Sequence, residues 1–255
     1  MRVVCLANNF VGEKVVSWLK KQKKSEIVAL VLHPPGKQRY VEEIILESQL
    51  PENRVFFADT LDNDTTLMEI QKLKPDIAVS VYFGYILKQK FIELFPGGCI
   101  NLHPAYLPYN RGANPNIWSI VDGTPAGSTL HYVNEKIDMG DIIAQKQVRV
   151  AMTDTGFSLY EKLEKASISL FKDTWPEIEA GRIHPVHQNP DEGTYHKLAD
   201  ISKIDEIDLD RMYKARDLIN IIRARTFPPY NGAYVLDNGE KTYLNIQFKT
   251  EDKFQ

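Results

Sequence analysis

The stretch CINLHPAYLPYNRGANPNIWSIVDGTPAGSTLHYVNEKIDMGD, Cys99 to Asp141, sets the frame for the rest of the chain. A short apolar run ends on Asn101 and His103, two positions apart. Alternate residues of a strand project to one face, so both side chains aim to the same side at the strand's end. Pro104, Pro108, Asn110, Gly112 and Pro115 then break the chain into a long loop, which suits a binding wall better than a packed core. Ser128 to Asn134 has the composition of another strand, and residues 133–138 turn the chain after it. If the two strands pair, Asp138 returns to His103, and an amide, an imidazole and a carboxylate surround one space.

Each of the three has an ordinary alternative. A histidine after a strand is often a satisfied structural residue, Asp138 before Met139-Gly140 is good turn chemistry, and Asn101 can cap a turn. Occurring together, with the loop between them, they suit acyl transfer to an amine, where an oxyanion forms on the carbonyl and the nitrogen sheds a proton. Asn101 and a protonated His103 would donate to the oxyanion, and Asp138 would hold the imidazolium by opposite charge. No serine or cysteine has to attack, so direct transfer is the economical reading.

Working outward, Val3 to Ala7 is a continuous apolar run, as in a strand covered on both faces. The spacing then predicts a helix over 11–24, a strand from Ile27 to Leu32, a helix from Val41 to Ser48 and a short strand over 55–57. A helix from Asp64 to Leu73, a strand from Ile77 to Val81 and a helix near 89–94 continue the alternation. This predicts an α/β fold with a doubly wound, mostly parallel, Rossmann-like sheet. Ligands of such sheets gather at the carboxyl ends of the strands, where residues 82–87 and 101–115 fall. The first turn, Asn8 to Gly12, carries one glycine and no GxGxxG, so no dinucleotide pyrophosphate site is indicated.

Downstream, Ile142 to Val150 reads as a strand and 158–180 as a helix, with Thr155 as its cap. Residues 181–190 look like a boundary, dividing a catalytic domain, 1–189, from an appendage, 190–255. The appendage is predicted to hold a helix over 212–225 and a β-hairpin of residues 233–236 and 242–248 joined across Asp237-Asn238-Gly239.

At Asn101-Leu-His103, Leu107-Pro108, Arg111-Gly112, Gly127-Ser-Thr-Leu-His131 and Asp138-Met-Gly-Asp-Ile-Ile143 the chain resembles the 10-formyltetrahydrofolate-dependent formyltransferases. The resemblance covers nearly the full chain and is strongest over 76–150 and 214–236. It implies the formyltransferase fold, with Asn101, His103 and Asp138 matching the family's catalytic asparagine, histidine and aspartate. It implies 10-formyltetrahydrofolate as co-substrate, with Tyr85, Ile86 and Leu87 on one wall of its pocket and Asn134, Glu135, Lys136 and Ile137 on the other. Without the resemblance, Ile86 and Leu87 read as core at a helix start. Thr155 matches a family position beside the active site as well as a helix cap.

The tail resembles the methionyl-tRNA and nucleotide-sugar branches, a segment that the glycinamide ribonucleotide branch lacks, and it is shorter than the carboxyl domain of the tRNA branch. Residues 109–118 and the run from Arg225 to Tyr230 look like nucleotide-sugar N-formyltransferases. The implied reaction carries the formyl group to the amine of a UDP- or dTDP-linked amino sugar, of the kind used in lipopolysaccharide and other surface polysaccharides. Candidate substrate contacts are Tyr109, Arg111, Asn114, Arg223, Arg225, Phe227 and Tyr230. Arginines offer forked donors to a diphosphate, and Phe227 or Tyr230 offers a plane to a uracil or thymine. A methionyl-tRNA formyltransferase-like enzyme, a non-catalytic folate or nucleotide-sugar binding protein, and a hydrolase releasing formate remain as alternatives. The resemblance implies a homodimer, with Tyr234, Val235, Leu244 and Ile246 of the hairpin available for pairing.

Composition narrows the partners. The 255 residues carry a formal net charge of -3, without the general basic footprint expected for a nucleic-acid partner. Cys5 and Cys99 lie in apolar runs and read as small buried hydrophobes, with no disulfide framework and no metal site. The first residues read as a strand, and no run approaches the ~20 apolar residues of a membrane span. The expectation is a cytoplasmic protein.

Overall fold

The apolar runs of the N-terminal half become parallel strands because helices cover both faces of the sheet they form. In the computed structural model, which describes residues 1–249, β1 (Arg2–Ala7), α1 (Asn9–Lys20), β2 (Glu26–Leu32), α2 (Val41–Ser48), β3 (Val55–Phe57), α3 (Asp64–Lys72), β4 (Ile77–Val81), α4 (Gln89–Ile92) and β5 (Cys99–His103) alternate along the chain. The loop after β5 contains the two-residue β6 (Arg111–Gly112) and leads into α5 (Pro115–Val121). Then come β7 (Ala126–Tyr132), β8 (Ile142–Val148) and the long α6 (Gly156–Glu179).

The seven-stranded sheet has the order β3-β2-β1-β4-β5-β7-β8. β1 to β5 run parallel, whereas β7 pairs antiparallel to β5, and β8 antiparallel to β7. Strand order reverses between β1 and β4, which opens a crevice at their carboxyl ends. Adjacent strands lie ~4.8 Å apart, so Asn8 after β1, Tyr82 after β4 and His103 at the end of β5 form a row along that edge. One face is covered by α1 and α6, where Val15, Val16 and Leu19 meet Leu170, Phe171 and Trp175. The other is covered by α3 and α4 through Leu67, Ile70 and Phe91. Each such fully buried side chain contributes roughly 1.5–3 kcal/mol of transfer free energy. Cys5 and Cys99 are buried free thiols, and burial pushes the Cys5 thiol up to about 12.

Several element ends differ from the sequence reading. α6 starts at Gly156 because Thr155 closes a capping box: its hydroxyl accepts from the Ser158 amide at 3.2 Å, and the Ser158 hydroxyl accepts from the Thr155 amide at 3.0 Å. The appended part holds β9 (Tyr195–His196), α7 (Ser202–Asp205), α8 (Ala215–Arg225), and a hairpin of β10 (Tyr234–Asp237) and β11 (Glu240–Tyr243). The expected second hairpin strand, 242–248, is instead Glu240–Tyr243. Asp237 pairs with Glu240 across a two-residue turn, with Asn238 at φ 48° and Gly239 at φ 84°. After Tyr243 the chain continues in the same register for one more bond, Leu244 donating to the Ala233 carbonyl at 2.7 Å, and the Ile246 amide then donates to the Thr226 hydroxyl at 3.2 Å. α8 packs against α5 and α6, with Ala224 among Ile117, Ile120, Leu159 and Leu163. Among the described residues, no helix is long and apolar enough to cross a membrane.

Candidate active site

The antiparallel pairing of β5 with β7 sets Asn101 opposite His131 and His103 opposite Thr129. The turn after β7 then carries Asp138 back over the end of β5. Asp138 has the left-handed backbone, φ 53°, that aspartate tolerates better than most residues. Its Oδ2 accepts from the Gly112 amide at 2.8 Å and stands 3.6 Å from His103 Nε2. Its Oδ1 stands 3.7 Å from His131 Nε2. The carboxylate therefore faces two imidazoles at ion-pair range and is anchored by one main-chain N–H. Gly112 has to be glycine: it sits at φ 88°, and a Cβ there would lie 2.3 Å from the His196 carbonyl oxygen.

His131 shows how the sequence pattern understated the site. Its Nδ1 lies 2.7 Å from the Tyr132 carbonyl oxygen, which can only accept, so Nδ1 carries the proton and Nε2 the lone pair. Asn101 Nδ2 donates to that lone pair at 3.2 Å. One N–H of the Asn101 amide is thus tied back to His131, and the other is left to meet a ligand. Burial drives the His131 pKa down to about 4, outweighing the attraction of Asp138. The sequence motif contained His131, but its role depends on the β5–β7 register, which hydrophobic patterning does not specify to the residue.

The first expected folate wall lies on the α3 side of the sheet edge. Tyr85 packs edge-on to His33, with ring centroids 5.0 Å apart, and Leu87 is buried in the core of that face. Ile86 between them is exposed. Glu135, Lys136 and Ile137 are exposed on the turn, where Asn134 Oδ1 accepts from the Lys136 amide at 2.9 Å. Asn134, Glu135 and Lys136 line a cavity of about 280 Å³ with Met139 and Gln188.

The expected substrate contacts divide. Arg111 stays beside the trio but is held by the 192–194 segment, through the Glu192 carbonyl at 3.1 Å and that of Thr194 at 3.4 Å. Tyr109 is half-buried, its amide donating to the Tyr106 carbonyl at 3.1 Å. Asn114 leads into α5 with its Nδ2 buried and unpartnered among the described residues. Arg223 is 6% exposed and knits α8 to the start of α6: Nη1 donates to the carbonyls of Ala151 at 3.0 Å and Asp154 at 2.8 Å, and Nε to Asn220 at 2.8 Å. Arg225 forms a two-pronged pair with Asp205 of α7. Their forked donors on a helix of the tail made both arginines candidates for a phosphate; in the packing of α8 each has partners within the protein.

Phe227 and Tyr230 keep aromatic company on the α1/α6 side. Phe227 meets Phe157 edge-on at 5.3 Å and Tyr160 at 5.5 Å, and Tyr230 lies 5.8 Å from Phe227 and is half-exposed. The exposed Arg39 lies over the Tyr230 ring and donates to its hydroxyl. Arg39 was absent from the sequence reading, since nothing local marks it. It is tethered to the end of β1, where its amide donates to Asn8 Oδ1 at 2.9 Å and its carbonyl accepts from the Asn9 amide.

A family model described as formyl transferase matches residues 1–174, more than half of the chain. The chain belongs to the formyl transferase family. A second model, an N-formyltransferase dimerization C-terminal domain, matches residues 200–250 of this formyltransferase. A 4-N formyltransferase from Francisella tularensis superposes on it with a TM-score of 0.83 at 27% identity, covering 98% of each chain. A formyltransferase from Anoxybacillus kamchatkensis, solved with UDP-4,6-dideoxy-4-formamido-L-AltNAc and tetrahydrofolate, is 28% identical with a TM-score of 0.58, over 80% of this chain and 89% of that one. A methionyl-tRNA formyltransferase from Listeria welshimeri is 31% identical over 218 residues, 82% of this formyltransferase and 67% of that protein.

Proposed function

We propose that the protein transfers the formyl group of 10-formyltetrahydrofolate to the amine of a nucleotide-linked amino sugar. The observation that carries formyl transfer is the convergence at the end of β5 of the Asp138 carboxylate with His103 and His131 at ion-pair range, and of Asn101 hydrogen-bonded to His131. The unprotonated amine attacks the formyl carbon. Asn101 Nδ2 and an N–H of His103 stabilise the oxyanion, and Asp138 receives the amine proton directly or through one water. Collapse of the tetrahedral intermediate breaks the bond to N10 of the folate, which leaves as tetrahydrofolate after taking up a proton. No covalent enzyme intermediate is needed.

Two faces of the sheet edge support two ligands. The folate is placed on the α3 side, between residues 85–87 and 134–137. The nucleotide sugar is placed on the α1/α6 side, where Phe227 and Tyr230 offer aromatic planes and Arg39 offers the diphosphate a cation that Arg223 and Arg225 do not. The relatives agree with this acceptor: the Anoxybacillus enzyme was solved with a UDP-linked formamido sugar and tetrahydrofolate. A product of that class serves glycosyl transfer into surface polysaccharides such as lipopolysaccharide. Residues 200–250 would pair two copies as a homodimer, with the half-exposed hairpin residues Leu236 and Tyr243 available to the contact.

The test is a panel of UDP- and dTDP-linked amino sugars, with formylatable methionyl-tRNA alongside, incubated with 10-formyltetrahydrofolate and read by product mass. A gain of one formyl group on a sugar nucleotide is expected. Formylation of the tRNA alone, or formate release without any acceptor, would overturn the reading.

A further inference from the structure

Asp138 lies on a turn whose preceding residues, Glu135 to Ile137, are exposed, and its own backbone is left-handed. A carboxylate shared among two imidazoles and one N–H needs firmer support than such a turn supplies. The support comes from fifty residues downstream. Gln188 is 3% exposed, and its Nε2 donates to the Asp138 carbonyl at 3.0 Å and to the Gly140 carbonyl at 2.7 Å. Both neighbours can only accept, so the orientation of the amide is determined. Gly140 has to be glycine for this approach, because a Cβ there would lie 1.8 Å from the Tyr132 carbonyl oxygen.

Gln188 belongs to a strap, residues 186–197, that is itself pinned on both sides of Asp138. Val186 exchanges two 2.8 Å main-chain bonds with Ile142. The Thr194 hydroxyl accepts from the Asn110 amide at 2.8 Å, and the Arg111 amide donates to the Thr194 carbonyl at 3.0 Å. His196 stacks on Trp118 with ring centroids 4.0 Å apart. The strap therefore holds Gly112, through β6 and β9, and Asp138, through Gln188, in one frame. It lies between the two matched family models, which end at residue 174 and begin at residue 200.

We propose that Gln188 is a positioning residue for formyl transfer: bridging the carbonyls of Asp138 and Gly140, it keeps the Asp138 carboxylate in register with His103, His131 and the Gly112 amide. This rests on the reaction proposed above, and it acts through Asp138 rather than on the substrate. Loss of the bridge lets the carboxylate drift, and a misplacement of about 1 Å at a reacting group costs on the order of 100-fold in rate.

The test compares the full chain with its Gln188→Glu and Gln188→Leu variants, the first keeping the shape and reversing the polarity, the second removing the amide. In each folded variant kcat falls by at least about tenfold, while KM for both substrates stays within about twofold. Amide exchange at Gly112 quickens, because its acceptor no longer stays in place, and this readout does not depend on turnover. In the Asp138→Asn background the same changes at Gln188 cost little further activity, since the group they position is already gone. Unaltered kcat and unaltered Gly112 exchange overturn the proposal. So does a fall in kcat that tracks a lower melting temperature and weaker binding of 5-formyltetrahydrofolate, or one that persists in full in the Asp138→Asn background. An inactive wild-type chain rejects the reaction instead, leaving the exchange measurement to judge the bridge.

Discussion

His131 stands 3.7 Å from a carboxylate and still holds its pKa near 4, because burial withdraws more water from the imidazolium than Asp138 can replace. Its folded pKa lies below the ordinary value of 6.5, so it is neutral in both states above that pH and its contribution is complete there. As pH falls from 6.5 towards 4, the unfolded chain takes up a proton that the folded chain refuses, and stability drops by on the order of 3 kcal/mol from this group. Urea unfolding at pH 7 and pH 4.5 should show this loss in the wild type and a flatter pH dependence in His131→Gln. His103 faces the same carboxylate from the other side and is an oxyanion donor in the proposed reaction. His103→Ala should lower kcat by ~100-fold or more with an unchanged circular dichroism spectrum, since an oxyanion donor is lost; full activity in that variant would remove His103 from the mechanism.

At the scale of elements, α6 and α8 decide what the tail contributes. α6 begins one turn from the Ala151 and Asp154 carbonyls that Arg223 of α8 satisfies, so the entry to one helix is stitched to the body of the other. Thr155→Ala opens the capping box and should cost about 1 kcal/mol in urea unfolding, with kcat unchanged. If kcat falls instead, Thr155 has a role at the site beyond capping. The same stitching gives Arg223 partners that its sequence did not announce. A guanidinium on a predicted helix can face solvent, a ligand or another element's unpaired carbonyls, and its own sequence neighbourhood is alike in all three cases.

For the molecule as a whole, two kinds of arginine are told apart by what they meet: the buried Arg223 meets carbonyls of the protein and the exposed Arg39 keeps its charge towards solvent. Arg223→Met should destabilise the fold by roughly 2–4 kcal/mol, because one buried and one half-buried carbonyl lose their donor, while leaving KM for the nucleotide sugar near wild type. Arg39→Ala should do the reverse, raising that KM by about tenfold with little effect on melting temperature, as loss of a charge-assisted contact does. Equal effects of both on KM would move the diphosphate away from Arg39. The edge is served by loops after β1, β2, β4 and β5 and by the strap over 186–197, which together bring residues from most of the chain to one row.

The order of strands and helices was legible from the chain alone because apolar runs and helical periodicity are local properties, recorded within ten or so residues. Asn101, His103 and Asp138 were legible too, since strand alternation aims the first two together and the turn after β7 brings back the third. What only the tertiary structure decided is the company those residues keep: His131 as the acceptor for Asn101, Gln188 as the donor to the Asp138 and Gly140 carbonyls, Arg223 as the donor to the Ala151 and Asp154 carbonyls. Each of these depends on a register or a carbonyl left unpaired on a distant segment, and such complementarity exists only once the segments have been packed against one another.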